Sequence, residues 1–230
     1  MQTNFDQNIL LSQRVDPTFD EPILNQTLRI AMYDEYHAYE TYKKVVEKFG
    51  FEPPFINILQ AEEQHIKELE ALHVKYGVEL PANDWAQKLQ APNSLQEAYE
   101  IGVAAEIDNI SMYSQILEYT INADVKDMFY RLQAASYNNH LPTLRAHLEK
   151  TLTNKNPLEA LGSSSENVME KFNEWSEIAN KLATNQASPE DVKKLLSNTN
   201  LSFVGGILLG AVGAAILTQS IKDSSQDEEE

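Results

Sequence analysis

Phe55-Ile56-Asn57-Ile58-Leu59-Gln60-Ala61-Glu62-Glu63-Gln64-His65-Ile66-Lys67-Glu68-Leu69-Glu70-Ala71-Leu72-His73-Val74-Lys75-Tyr76 runs without a glycine or proline. Its apolar residues Phe55, Ile58, Leu59, Ile66, Leu69 and Leu72 recur at helical spacing. The pattern predicts one amphipathic helix over 55–76, stopped by Gly77. The stripe is broken at its centre by Glu62 and His65, which stand three apart and share a helix face. A buried carboxylate is costly unless it is paired or holds a cation, so this interruption needs a chemical reason.

The same pattern extends outward in both directions. Upstream, Leu28, Met32, Tyr39, Tyr42, Val46 and Phe49 predict a helix over 23–49, closed by Gly50 and Pro53-Pro54. Glu35 stands in the middle of that stripe. Downstream, a polar link from 78 to 93 holds Pro81, Trp85 and Pro92, and Ser94 with Glu97 reads as a capping box. The third helix, about 95–121, has the stripe Leu95, Tyr99, Val103, Ile110, Tyr113, Leu117, Ile121, with Glu106 inside it and Asn109 near Glu106. Asn122-Ala123-Asp124 then turns into a fourth helix, about 125–152, where His140 follows Val125, Met128, Phe129 and Leu132 and precedes Leu144 and Leu148. Pro142 predicts a kink there, because it removes a backbone hydrogen bond. Short, long, short connections predict an all-α fold: an antiparallel four-helix bundle over 23–155 with one long crossover. Residues 1–22 read as a loosely ordered polar arm.

Glu35, Glu62, His65, Glu106 and His140 therefore break all four stripes, each near the middle of its helix. Antiparallel packing brings them to a similar height, where three carboxylates repel one another unless they share a cation. A lone Glu-x-x-His is usually a surface accident and a lone mid-helix His usually packs; four interrupted stripes at one level point instead to a metal site. Carboxylates with imidazoles suit iron or manganese, and zinc prefers fewer oxygens. His37, His73 and His147 read as bystanders. Tyr33, Tyr36 and Tyr42 read as packing, with Tyr39 left open.

Residues 35–42, Glu-Tyr-His-Ala-Tyr-Glu-Thr-Tyr, with 57–65, Asn-Ile-Leu-Gln-Ala-Glu-Glu-Gln-His, resemble the paired signatures of a ferritin-like family. The family is a largely uncharacterised bacterial and archaeal one, related to rubrerythrins and bacterioferritins. Glu106 with Asp108, and Asn139-His140-Leu141, resemble its second-half signatures, so the likeness covers about 28–150. The resemblance implies a di-iron centre that oxidises ferrous iron with dioxygen or peroxide. Glu35 and Glu106 would then be terminal or bridging ligands, Glu62 the bridge, and His65 and His140 one cap each. A homo-oligomer is expected. The family usually carries a second Glu-x-x-His on the last helix, but Tyr137 stands three before His140 here. Five protein ligands are expected, with water, Tyr137, Asp108 or Asn109 to complete the set, or with one position open. Rubrerythrins add a Cys-rich electron-transfer module, which this sequence lacks; a rubrerythrin-like peroxidase would need an outside reductant. The competing reading is a non-enzymatic helical scaffold, associated with a membrane or a compartment, whose polar core residues set helix register.

Composition narrows the choices further. A formal charge of −17, from 18 Lys+Arg and 35 Asp+Glu, argues against nucleic acid as a partner. With no Cys there are no disulfides, thiolate metal sites or thiol nucleophiles. The polar start has no apolar run suited to a signal peptide, which predicts a cytoplasmic protein. After 155 an amphipathic helical appendage is expected over 156–200, then a hydrophobic Gly/Ala-rich helix over 201–221 and an acidic tail over 222–230. Residues 201–217 approach the roughly 17 needed to span a bilayer, and Gly206/Gly210 and Ala211/Ala215 suit close helix contact. They predict a tail anchor on the cytoplasmic face of a membrane, or else a helix that packs on another copy or a compartment wall.

Overall fold

The computed structural model describes residues 4–153, and among these every regular element is helical. They are α1 (Gln7–Ser12), α2 (Ile23–Phe49), α3 (Phe55–Tyr76), α4 (Trp85–Lys88), α5 (Leu95–Tyr119), α6 (Ala123–Ala135), a π-turn (Ser136–His140) and α7 (Leu141–Thr153). The expected appendage, hydrophobic helix and acidic tail after 155 lie outside the described residues, as does the tail anchor expected at 201–217. Among the described residues, no helix is long and apolar enough to cross a membrane.

The helix ends follow from local chemistry. Gly50 closes α2 at φ +87, with its N–H on Val46 O. Gly77 closes α3 in the left-handed region, and Val78 N–H reaches back to His73 O at 3.0 Å. That pair of features is a Schellman stop, which satisfies carbonyls the helix leaves bare. Ser94 Oγ accepts the Glu97 N–H at 3.1 Å, while the Glu97 carboxylate accepts from Asn93 N–H at 2.7 Å, one residue before the position a capping box uses.

Helix α2 packs on α3 and α5, α5 also packs on α6 and α7, and α3 touches α6. The buried apolar residues fall into two separate clusters. One joins Leu28–Tyr33 of α2, Leu69 of α3, Met112–Leu117 of α5 and Val125–Leu132 of α6. The other joins Ala38–Val45 of α2, Phe55 and Ile58 of α3, Ala98–Val103 of α5 and Leu144 and Leu148 of α7. Each cluster takes opposite ends of chain neighbours, so α2 runs antiparallel to both α3 and α5. Close approach needs Gly102, where an added Cβ would lie 3.1 Å from Leu144 and 3.4 Å from the Tyr42 ring.

Two sequence expectations change. Residues 4–22 are not a loose arm: Ile9 and Leu10 are buried in the first cluster. Asp6 makes a buried two-pronged ion pair with Arg29 at 2.6 and 2.7 Å, and Arg29 also donates to Glu79 O. Composition hid this, because the arm's polar residues find their partners on α2 and the 78–84 link. The fourth helix is also not a regular α-helix throughout. It widens into a π-turn just before Pro142, and Leu141 N–H bonds Ser136 O, five residues back. Widening the helix here accommodates a proline that cannot donate and whose ring would otherwise press on a carbonyl of the preceding turn.

Candidate metal centre

Between the two apolar clusters lies a polar layer made by the five residues that interrupt the stripes. Helices α2, α3 and α5 supply Glu35, Glu62 with His65, and Glu106, and the π-turn supplies His140. Glu35, Glu62 and Glu106 are buried to within 3% of complete, and His140 to within 6%. His65 keeps a side-chain exposure of 15%.

The geometry is that of two groups sharing one member. His65 Nδ1 faces Glu62 at 2.8 Å and Glu35 at 3.2 Å. His140 Nδ1 faces the other Glu62 oxygen at 3.2 Å and Glu106 at 3.5 Å. Glu35, Glu62 and His65 each place one ligand atom within 4.8 Å of the others, as do Glu62, Glu106 and His140. The two imidazoles lie 6.0 Å apart, their planes 26° from parallel.

The outer oxygens of the two unshared carboxylates are each held by a tyrosine. Tyr113 donates to Glu35 at 2.6 Å and Tyr42 donates to Glu106 at 2.5 Å. Each Tyr follows the Glu of its own helix by seven residues, two turns on, and meets the Glu of the opposite helix. Sequence reading placed both in the apolar stripes and missed their hydroxyls. The repeated spacing Glu-x6-Tyr on antiparallel helices was the signal that could have found them.

The charges answer to this enclosure. Burial, reinforced by the charge of Glu62, raises Glu35 to about 7. Burial also opposes ionisation of Glu62, but the facing His140 and His65 imidazoles outweigh it and hold that carboxyl far below the usual range. Burial works against both imidazoliums, yet the adjacent carboxylates push His65 and His140 up to about 10. His140 Nδ1 is nevertheless aligned in no hydrogen bond and is buried. Its two carboxylate neighbours act on it through charge, and an imidazole nitrogen aimed between carboxylates without a directed partner fits a cation. Three carboxylates and two imidazole nitrogens also match the donor preference of iron or manganese.

The other sequence candidates lie elsewhere. Tyr137 is 63% exposed and takes no part. Asn109 is engaged by other groups, giving its amide to Asp34 at 2.7 Å and accepting from Ser136 Oγ at 2.8 Å. Asp108 is buried outside both groups, and burial pushes it up to about 8. Asp34 went unread: burial and the charge of Glu35 raise it well above the carboxylate range, and Gln13 donates to it at 2.5 Å. His73 lies between Val78 O and Leu28 O at 3.1 Å each and ties the end of α3 to α2. His37 sits 4.5 Å from the Trp85 ring, and burial lowers it to about 4. His147 lies over Tyr99 at 5.6 Å.

No family model and no curated protein matches the chain. Among solved structures it is similar to a hypothetical protein from Methanococcus jannaschii DSM 2661, with a TM-score of 0.53 and 20% identity. That similarity covers 66% of this chain and 99% of the other. At this identity the likeness speaks for the fold alone.

Proposed function

We propose that this chain is a ferritin-like four-helix bundle with one long crossover that binds two iron ions and oxidises ferrous iron with dioxygen or peroxide. The observation that carries the reading is Glu62, a buried carboxylate whose two oxygens face two separate Glu–His groups between two apolar clusters. When bound, two ferrous ions supply one electron each, enough to reduce dioxygen to hydrogen peroxide or peroxide to water, with the protons drawn from solvent.

The residues divide the work. Glu35 and His65 would hold one ion, Glu106 and His140 the other, and Glu62 would serve both. Tyr113 and Tyr42 fix the outer oxygens of Glu35 and Glu106 and leave the inner ones turned toward the centre. The apolar clusters on both sides exclude water and sharpen the attraction between carboxylates and cations. Loading the site expels protons from both imidazoles, since a ligating nitrogen must be unprotonated. Manganese suits the same donors, and metal analysis separates the two.

The test is elemental mass spectrometry on protein purified without chelators, followed by anaerobic ferrous titration and admission of oxygen. About two irons per chain and a near-ultraviolet ferric absorption that appears with oxygen are expected. A chain that carries no metal and takes up no added iron would be a scaffold, and the proposal would fail.

A further inference from the structure

The buried contacts outside the five-residue layer form a chain that ends at the π-turn. Gln13, which closes α1 at φ +55, donates to Asp34 at 2.5 Å. Asp34 accepts from Asn109 on α5 at 2.7 Å, and Asn109 accepts from Ser136 at 2.8 Å. All four side chains belong to residues at most 8% exposed. Ser136 is the first residue of the π-turn and His140 the last.

The turn itself has a geometric task. Leu132, Ser136, His140, Leu144 and Leu148 are buried at successive steps of four, while Tyr137, Asn138 and Asn139 are exposed. In a regular α-helix each step of four overshoots by about 40°, so a run this long would carry its ends round the helix. A wider turn absorbs the drift and keeps His140 on the inner face with Ser136. The residue paired with His140 inside the molecule is therefore Ser136, four before it, and not Tyr137, three before it. A π-turn is a strained choice that needs support from its surroundings. His140 gives the turn no aligned hydrogen bond, and its Nδ1 only faces Glu62 at 3.2 Å and Glu106 at 3.5 Å.

We infer that the relay Gln13–Asp34–Asn109–Ser136 holds the π-turn in register and so aims His140 at the Glu62–Glu106 position, making Ser136 and Asn109 positioning residues of one half of the centre. The inference rests on the metal reading proposed above. The other half does not depend on the relay in the same way. Glu35 and the Glu62/His65 pair stand on regular α-helices, and Tyr113 holds Glu35 directly.

The experiment is cobalt(II) titration of the full chain, read by ligand-field absorption and equilibrium dialysis, with thermal unfolding of each apo variant as the folding control. The unaltered chain should take up two equivalents. Ser136→Ala removes the donor and leaves Asn109 unsatisfied; it should bind one equivalent as before and the other at least about tenfold more weakly. Ser136→Thr restores a hydroxyl and should recover the second equivalent. Gln13→Leu cuts the relay at its far end and should weaken the same equivalent. Two wild-type equivalents in both Ser136→Ala and Gln13→Leu overturn the inference and leave the metal centre standing. Equal weakening of both equivalents, together with a loss of apo stability, also overturns it, since the relay would then be structural only. No cobalt uptake by the unaltered chain would overturn the metal reading and this inference with it.

Discussion

The two halves of the layer, α2–α3 and α5 to α7, are built on one plan and differ at one place. Glu35 and Tyr42 on α2 are answered by Glu106 and Tyr113 on α5, each Tyr bonded to the other helix's Glu. His65 on α3 is answered by His140. Glu62, however, is answered by Ser136, whose hydroxyl turns to Asn109. The first half thus brings two residues of the layer on a regular helix, three apart. The second brings one, on a widened turn held from outside. The half that lacks its own carboxylate groups instead with Glu62 of the other half, and its histidine stands on an irregular stretch of backbone.

The largest break in this comparison comes at Glu62. Glu62→Ala should bring metal uptake from about two per chain to near none, because both groups share it, whereas Glu35→Gln or Glu106→Gln should cost one position each. Metal content of the three purified variants decides the matter, and equal losses would mean that Glu62 is not shared.

Acidity probes the layer as a whole. Glu35, Asp108, His65 and His140 all hold their protons to higher pH in the folded chain than in the unfolded one. The folded state therefore binds more protons between the ordinary carboxylate range and about pH 10, and stability must fall as pH rises through that window. Glu62, held low, acts in the opposite sense below the ordinary carboxylate range. His37 and His73, lowered by burial, do so up to the ordinary histidine value of about 6.5, so the fall is clearest above it. Metal-free protein should lose on the order of 5–10 °C in Tm between pH 6 and pH 9. Loaded protein should lose less, because the cations have already displaced the protons of both imidazoles and Glu35. Calorimetry at three pH values checks both slopes, and a rising one in the metal-free chain would contradict the buried layer.

The tyrosines sharpen the plan the halves share. Tyr42→Phe and Tyr113→Phe each remove a donor to a buried carboxylate and should destabilise by about 1.5–3 kcal/mol apiece. Urea unfolding should find the two nearly equal if the halves are equivalent at this level. The smallest effect is expected at Tyr137. Tyr137→Ala should change stability by less than about 0.5 kcal/mol and leave metal uptake unchanged. A loss of metal there would restore Tyr137 to the site and undo the assignment of Ser136 as its inward neighbour.

Much of this was legible in the linear chain. The bounds of α2 and α3 coincide with apolar stripes ended by Gly50 and Gly77, and Ser94 marked the start of α5. Those features are local: spacing, caps and stops act within a turn or two of helix, so neighbours in sequence settle them. The five layer residues were legible for the same reason, since each offends its own stripe. Tertiary structure decided the partners. Asp6 reads as a charge in a polar arm until Arg29 and Glu79 are brought to it, and Tyr42 reads as apolar until the register of α2 on α5 sets it against Glu106. The π-turn lies between the two cases. The steps of four from Leu132 to Leu148 were written in the sequence, but a helix takes up such a drift by twisting, bending or widening. Pro142 favours widening from within the helix, while Ser136 on Asn109 and Leu144 against Gly102 are contacts between helices that the linear chain does not show.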